Sequence, residues 1–489
     1  MGFVQTVEDL VIGSGFAGSV IAARLAQAGR QVVVLERGPW WRTDTVGSQS
    51  GAAERQRAFP RGRQAARLLR SIEWRARTGL GAHRLVHADG LFDVHRSPHL
   101  AVFCGSGVGG GSHVYTNMLV EPRDAFFDAF PGVLQDRAYW KDLFARVRAV
   151  LRPQPWPDAL PRWRHWNDRF ERPDLALIGP DAARDVVNAA GVVQQPCEGC
   201  GECIIGCTYG AKTTLDLTYI QMALQAGAVV EALIDVRAIR SVDGGYEVTA
   251  RDQQTGRQRI WRARRVFVCA GALNTMRLLL RARERGDLSR LPAQLGRRVG
   301  ANGDVLGLLS TAPVQDDAPG PSIGGIFPRT DDRYLIAEGV IPWPRSGRIS
   351  RGLLERFSLL LGMGDDGLPG RAVWRGGGLT IAYQRSDAGE LYSAIEARMQ
   401  EFAHAARSRL RWINVPSMRS RGASRATVHL MGGCTVSDAP NSGVVNASGE
   451  VYGHPGLFVA DGSIFPAAPG TPPSLAIAAF AEHVAAAAA

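Results

Sequence analysis

Residues 8–36 read EDLVIGSGFAGSVIAARLAQAGRQVVVLE, two apolar runs on either side of a glycine turn and an alanine-rich segment. The pattern of 8–13 is that of a buried strand, 16–28 that of a packed helix, and 31–36 that of a second buried strand parallel to the first. The predicted βαβ unit carries Gly13-Ser14-Gly15-Phe16-Ala17-Gly18 at its strand-to-helix turn. In such a turn the first glycine permits the tight bend, the second lets a pyrophosphate approach the backbone, and the third lets helix and strand pack closely. Phosphate would rest at the helix start, over Phe16 and Ala17, where unpaired N–H groups and the helix dipole favour an anion. Glu36 ends the second strand 21 positions after Gly15, placed to accept from ribose hydroxyls. The arrangement predicts a bound dinucleotide without separating FAD from NAD.

Composition narrows the class. A chain of 489 residues that is 45% hydrophobic can bury a large core, arranged as several domains or one enlarged enzyme core. The formal charge of +11 raises the question of a nucleic-acid partner. The basic residues are dispersed, however, and all but Lys141 and Lys212 are arginine, so no nucleic-acid partner is expected. The densest basic stretch, Arg55 to Arg77, also holds Leu68, Leu69 and Trp74; it reads as a solvated face, an amphipathic lid or a membrane-surface helix. A strand pattern begins by Asp9, leaving no room for a leader, and no window has the ~18 consecutive apolar residues of a spanning helix. The expectation is a cytoplasmic protein, with membrane contact at most peripheral and its cysteines mostly reduced.

Further along, residues 39–80 read as an excursion out of the core, with a polar tract at 47–52, and 104–112 as a second glycine-rich loop. Proline and aromatic density rises between Arg123 and Phe170, 213–225 looks helical, and 228–269 alternates like a meander ending on the apolar strand VFVCAG. Residues 457–488 return to strand, glycine turn and an alanine-rich helix.

Four blocks in order carry a resemblance: Gly13 to Glu36; Gly105-Ser106-Gly107-Val108-Gly109-Gly110-Gly111-Ser112; Cys269-Ala270-Gly271-Ala272-Leu273; and the run from His429 through Pro473. The chain resembles the glucose-methanol-choline (GMC) family of flavoprotein oxidoreductases, in the branch that contains bacterial cholesterol oxidase. The resemblance implies an α/β fold, a Rossmann-type FAD-binding domain with an inserted α+β substrate-binding domain. The FAD-binding domain would comprise residues 1–120, 197–304 and 426–489, and the substrate side 121–196 and 305–425. It also implies FAD as the cofactor. Gly105, Gly107, Gly109, Gly110, Gly111 and Ser112 would lie along the flavin, with Asn117 just beyond them. Ala270 and Gly271 would contact the cofactor at a strand end, and Asp461 and Gly462 would reach its pyrophosphate and ribityl region.

Alcohol oxidation needs a group that takes the hydroxyl proton while the carbinol hydride is aimed at the flavin. His429, in HLMGGC, matches the family histidine that holds the substrate oxygen, although Leu430 departs from the usual HPLGG. Glu338, in LIAEGVIP, resembles the cholesterol oxidase carboxylate that acts as base from the substrate domain. The family's second polar residue, Asn or His, is replaced by Pro472, which offers no side-chain donor and no N–H. Thr471 or His113 would then have to stand in for it. The expected substrate is a small hydrophobic alcohol, with oxygen or a redox partner as electron acceptor. A desaturase or reductase acting on a natural-product scaffold, and an electron-transfer flavoprotein, are the alternatives.

Cys197, Cys200, Cys203 and Cys207 have the CxxCxxCxxxC spacing of a bacterial ferredoxin loop, with Thr208 where such motifs carry proline. Cysteine-rich stretches ending in GxxxGAK, here Gly206 to Lys212, also occur in this branch of the family. A [4Fe–4S] cluster relaying electrons, zinc held by four thiolates, and thiols or a disulfide bracing the loop all remain open, with the scaffold reading preferred.

Overall fold

The computed structural model of the chain describes residues 4–42, 57–75, 81–160, 163, 166, 170–310, 319–328, 332–341, 357–383, 385–412, 415–416 and 423–489. The βαβ unit is there, as strand Val4–Ile12, helix Phe16–Gln27 and strand Val32–Leu35. The strands pair in parallel, Ile12 opposite Leu35, through the apolar runs Leu10–Ile12 and Val32–Leu35, which are buried on both faces and covered by helices. They belong to a sheet ordered Val229–Glu231, Val32–Leu35, Val4–Ile12, Gln258–Val268, to which the antiparallel pair Ile234–Val242 and Gly245–Asp252 is joined. Gln258–Val268 changes neighbour along its length. Its first part pairs with Gly245–Asp252, and its last three residues pair in parallel with Leu457–Val459. Ile12, Leu35, Val268 and Val459 therefore stand in one row, and the turns that follow them open on one edge of the sheet. That edge, beyond the carboxyl ends of the strands, is where open α/β sheets bind ligands.

Helix Phe16–Gln27 packs against the C-terminal helix Ser474–Ala488 and against Tyr219–Gln225. The buried carboxylate of Glu482 joins the three, accepting 2.8 Å and 2.9 Å bonds from Arg24 Nη2 and Tyr219 Oη. The inserted region is built on an antiparallel sheet ordered Ile323–Ile326, Tyr334–Val340, Phe357–Gly364, Val305–Ser310, Arg409–Trp412, with helix Gly389–Ala405 packed on it. The fold is thus a Rossmann-type α/β unit with an inserted α+β region.

The basic stretch near residue 70 differs from the helical expectation. Gly62–Leu68 is a short 3-10 segment and Leu69–Arg75 a strand, held by pairing with Phe92–Arg96 and Gly81–Leu85. Arg70 is buried against Asp93 at 2.9 Å, so this face is not free to lie on a membrane as an amphipathic helix. The polar tract at 47–52 lies outside the described residues. Among the described residues no helix is long and apolar enough to cross a membrane.

Candidate active site

The first glycine turn is set by close backbone approach. Gly13 has φ +94°, and a Cβ there would sit 2.4 Å from the Cys269 carbonyl oxygen; a Cβ on Gly18 would sit 1.9 Å from that of Gly13. Gly15 is different: a Cβ there meets nothing within 4 Å. The helix it opens has no side-chain cap and no acid in its first turn, which leaves an anion-favouring end facing that space. The second loop lies against the first, since a Cβ on Gly110 would come 2.5 Å from Gly15 Cα. Gly107 (φ +144°) and Gly109 (φ +103°) bend this loop, Gly111 again borders open space, and Ser112 ties it down by donating to Gly109 O at 2.7 Å.

Glu36 is buried and oriented by three donors: Ser14 N at 3.0 Å and Ser14 Oγ at 2.8 Å on one oxygen, and Gly38 N at 2.9 Å on the other. At the neighbouring strand end Asp461 accepts from Gly271 N at 2.9 Å, from Ser463 N at 2.9 Å and from Thr275 Oγ1, fixing Ala270–Gly271 relative to Gly462. Burial pushes the Asp461 carboxyl above its usual value. Asn117 is fully buried at φ +70°, a conformation that asparagine tolerates better than most residues, and both polar atoms of its amide lack a hydrogen-bond partner. Orphaned buried amides are costly, so this one is shaped for a partner outside the chain. The open cradles at Gly15 and Gly111, the oriented Glu36 and the unpaired Asn117 fit FAD.

His429 is held from one side. Its Nδ1 donates to Asp304 Oδ1 at 2.8 Å, and its backbone N to Thr427 Oγ1 at 3.0 Å, with the side chain 15% exposed. Two residues earlier, Asn302 (φ +53°) accepts from Gly470 N and donates to Thr471 O, both at 3.0 Å, clasping the segment that carries Pro472. Thr471 Oγ1 in that segment is buried and unpaired. His113 donates from Nε2 to the Val108 carbonyl at 2.6 Å, so its ring serves the glycine loop. Neither Asn302 nor Asp304 stands in a motif.

Glu338 is fully buried in the strand Tyr334–Val340 and accepts from Trp163 Nε1 at 3.1 Å. Trp163 belongs to an apolar cluster with Leu160, Ile323, Ile326 and Leu335. Glu338 thus sits among different neighbours from the Asp304 and Thr427 that surround His429.

The four cysteines line one cavity together with Asn117, Tyr209 and Lys212. All are free thiols, so no disulfide braces the loop. The alternative of a [4Fe–4S] or zinc site at Cys197, Cys200, Cys203 and Cys207 is not supported: among the described residues no group of three or more His, Cys, Asp or Glu side chains is arranged to hold a metal ion. Burial pushes the Cys197 thiol upward and the Cys200 thiol to about 12. The loop is instead braced by hydrogen bonds. Arg61 donates to Glu202 at 2.8 Å and to Ile205 O at 3.0 Å, and Ser322 Oγ donates to Gly201 O at 2.8 Å. Lys212, buried and lowered by burial to about 8, donates to His113 O (2.9 Å), Tyr115 O (2.8 Å) and Cys203 O (2.8 Å). That lysine joins the cysteine loop to the glycine-loop side of the site.

The two glycine loops thus meet at the sheet edge, His429 stands on a separate loop, and the inserted antiparallel sheet carries Glu338. By sequence comparison, residues 183–285 and 381–481 both match GMC oxidoreductase, and residues 11–46 match an NAD(P)-binding Rossmann-like domain. The chain is 26% identical to a cholesterol oxidase of Acinetobacter baumannii, covering 97% of this chain and 93% of that protein. It is 27% identical to a cholesterol oxidase of Mycobacterium tuberculosis, covering 97% and 90% respectively. In fold it is similar to pyridoxine 4-oxidase from Mesorbium loti, with a TM-score of 0.61, 17% identity, and coverage of 98% of this chain and 99% of that one. Residues 183–285 and 381–481 thus carry the N- and C-terminal GMC oxidoreductase domains, and the chain is similar to cholesterol oxidases over nearly its whole length.

Proposed function

We propose that this oxidoreductase removes hydrogen from a hydroxyl-bearing carbon of a hydrophobic small molecule. FAD, when bound, supplies the two-electron acceptor, with oxygen or a redox partner as the final one. Gly13, Gly15, Gly18 and Glu36 would hold its pyrophosphate and ribose. Gly105 to Ser112, Asn117, Ala270, Gly271, Asp461 and Gly462 would hold its remaining length. The observation that carries the reading is His429, whose Nδ1 is engaged by Asp304 while Nε2 makes no hydrogen bond among the described residues, leaving it to take the hydroxyl proton. The unpaired Thr471 hydroxyl supplies a second polar contact for the substrate oxygen where Pro472 gives none. Cholesterol oxidases as relatives support a sterol-like or similarly apolar alcohol, with Glu338 reaching it from the substrate sheet.

The test is anaerobic mixing of FAD-loaded protein with cholesterol in detergent micelles and, separately, with dodecanol. One of them should bleach the flavin band, and His429→Ala should slow that bleaching by roughly 10²-fold, the usual reach of a positioned acid–base group. Equal rates in the variant and the parent would remove His429 from the reaction.

A further inference from the structure

The geometry points to Asp304 as a positioning residue that fixes which nitrogen of His429 carries the proton, with residues 301–304 as the rigid support. The inference rests on the proposed role of His429. Asp304 is 1% exposed at its side chain, and three donors meet it: His429 Nδ1 on Oδ1 at 2.8 Å, and Thr427 Oγ1 at 2.7 Å and Val428 N at 3.1 Å on Oδ2. All three neighbours point donors at this side chain, and a carboxylate can only accept. The neutral imidazole therefore keeps its hydrogen on Nδ1, which leaves Nε2 as a bare lone pair, the form a proton-accepting group requires. The reversed tautomer would place two lone pairs face to face at 2.8 Å and an N–H where the substrate hydroxyl must donate.

The support is tied at every residue that the role needs. Ala301 N donates to Asp366 at 2.6 Å, and Asn302 O accepts from Gly364 N at 2.9 Å. The Asn302 side chain holds Gly470 and Thr471. One turn therefore sets both the histidine and the segment bearing the unpaired Thr471 hydroxyl. Asp304→Asn is a near-isosteric probe with a definite expectation. The Val428 N–H and Thr427 hydroxyl both point at Oδ2, so the amide oxygen belongs there and the amide NH₂ faces His429. That substitution reverses the tautomer.

The experiment reads histidine nitrogen chemical shifts and couplings in ¹⁵N-histidine-labelled, FAD-loaded protein, with the His429 signals assigned by their loss in His429→Ala. The parent should show the Nδ1–H tautomer and Asp304→Asn the Nε2–H tautomer. With the alcohol that bleaches the parent, Asp304→Asn should slow flavin reduction by about 10²-fold or more at saturating alcohol, with the half-saturating concentration little changed. In the His429→Ala background the Asp304→Asn change should add no further slowing. An Nε2–H tautomer in the parent overturns the inference even if Asp304→Asn fails to fold. So does an Asp304→Asn protein that reduces as fast as the parent while His429→Ala is slow. Fast reduction in His429→Ala is a different failure, that of the functional reading itself.

Discussion

The turn at Gly13–Gly18 and the turn at residues 301–304 both shape the proposed site, by opposite means. The first works through what its residues lack: bare backbone lets the strand end, the helix start and the second glycine loop touch, with a Gly18 Cβ only 1.9 Å from a carbonyl oxygen. The second works through side chains that cross the fold, Asn302 to Thr471 and Asp304 to His429. A cradle for an anionic cofactor needs N–H groups and space. A proton-accepting site needs a directed lone pair.

That contrast can be broken most severely at Gly18. Gly18→Val should yield protein without FAD and without a cooperative melt, since neither carbonyl nor strand can retreat; flavin absorbance and thermal unfolding check this. Gly15→Val separates cradle from scaffold. Gly15 lies at φ −72° with nothing within 4 Å of its Cβ, so the fold should survive while FAD affinity falls by roughly 10²-fold, as equilibrium titration would read. At the other turn, Asn302→Ala should lower flavin reduction about tenfold and cost about 1–3 kcal/mol of stability, because Gly470 N and Thr471 O lose buried partners.

A smaller effect is expected from Asp366, which holds Ala301 N. Burial raises its carboxyl from 3.8 to about 6, so the unfolded chain releases this proton first as pH rises. Its contribution to stability is complete below 3.8 and lost as pH rises through about 6. Asp366→Asn should flatten the change in melting temperature over that window. The smallest effect is at the cysteines: Cys200→Ser should leave FAD content and reduction by the alcohol at parental levels, and iron analysis of anaerobic protein should find no stoichiometric metal.

The difference between the two turns also explains what could be read in advance. Gly13 to Glu36 is legible because a backbone cradle is encoded by neighbours in sequence, glycine spacing and an acid one strand later. His429 is legible through the block around it, and the alternation of 228–269 through its period. Asp304 and Asn302 are not, since a carboxylate becomes a partner for His429 only when segments 125 residues apart are folded together. Lys212 is similar: its three carbonyl partners belong to two separate loops. The cysteine spacing left a metal site and a scaffold both open, because spacing along a chain does not specify where the sulfurs point. The helical alternative for the stretch near residue 70 fails because Leu69–Arg75 is a strand whose Arg70 is buried against Asp93, while Arg67 remains half exposed.

The most direct test is the visible spectrum of the purified protein with the cofactor released and quantified. A flavin spectrum with about one FAD per chain, lost in Gly15→Val while the melt is retained, is the predicted result. Colourless parent protein that takes up no flavin when FAD is added would contradict the account.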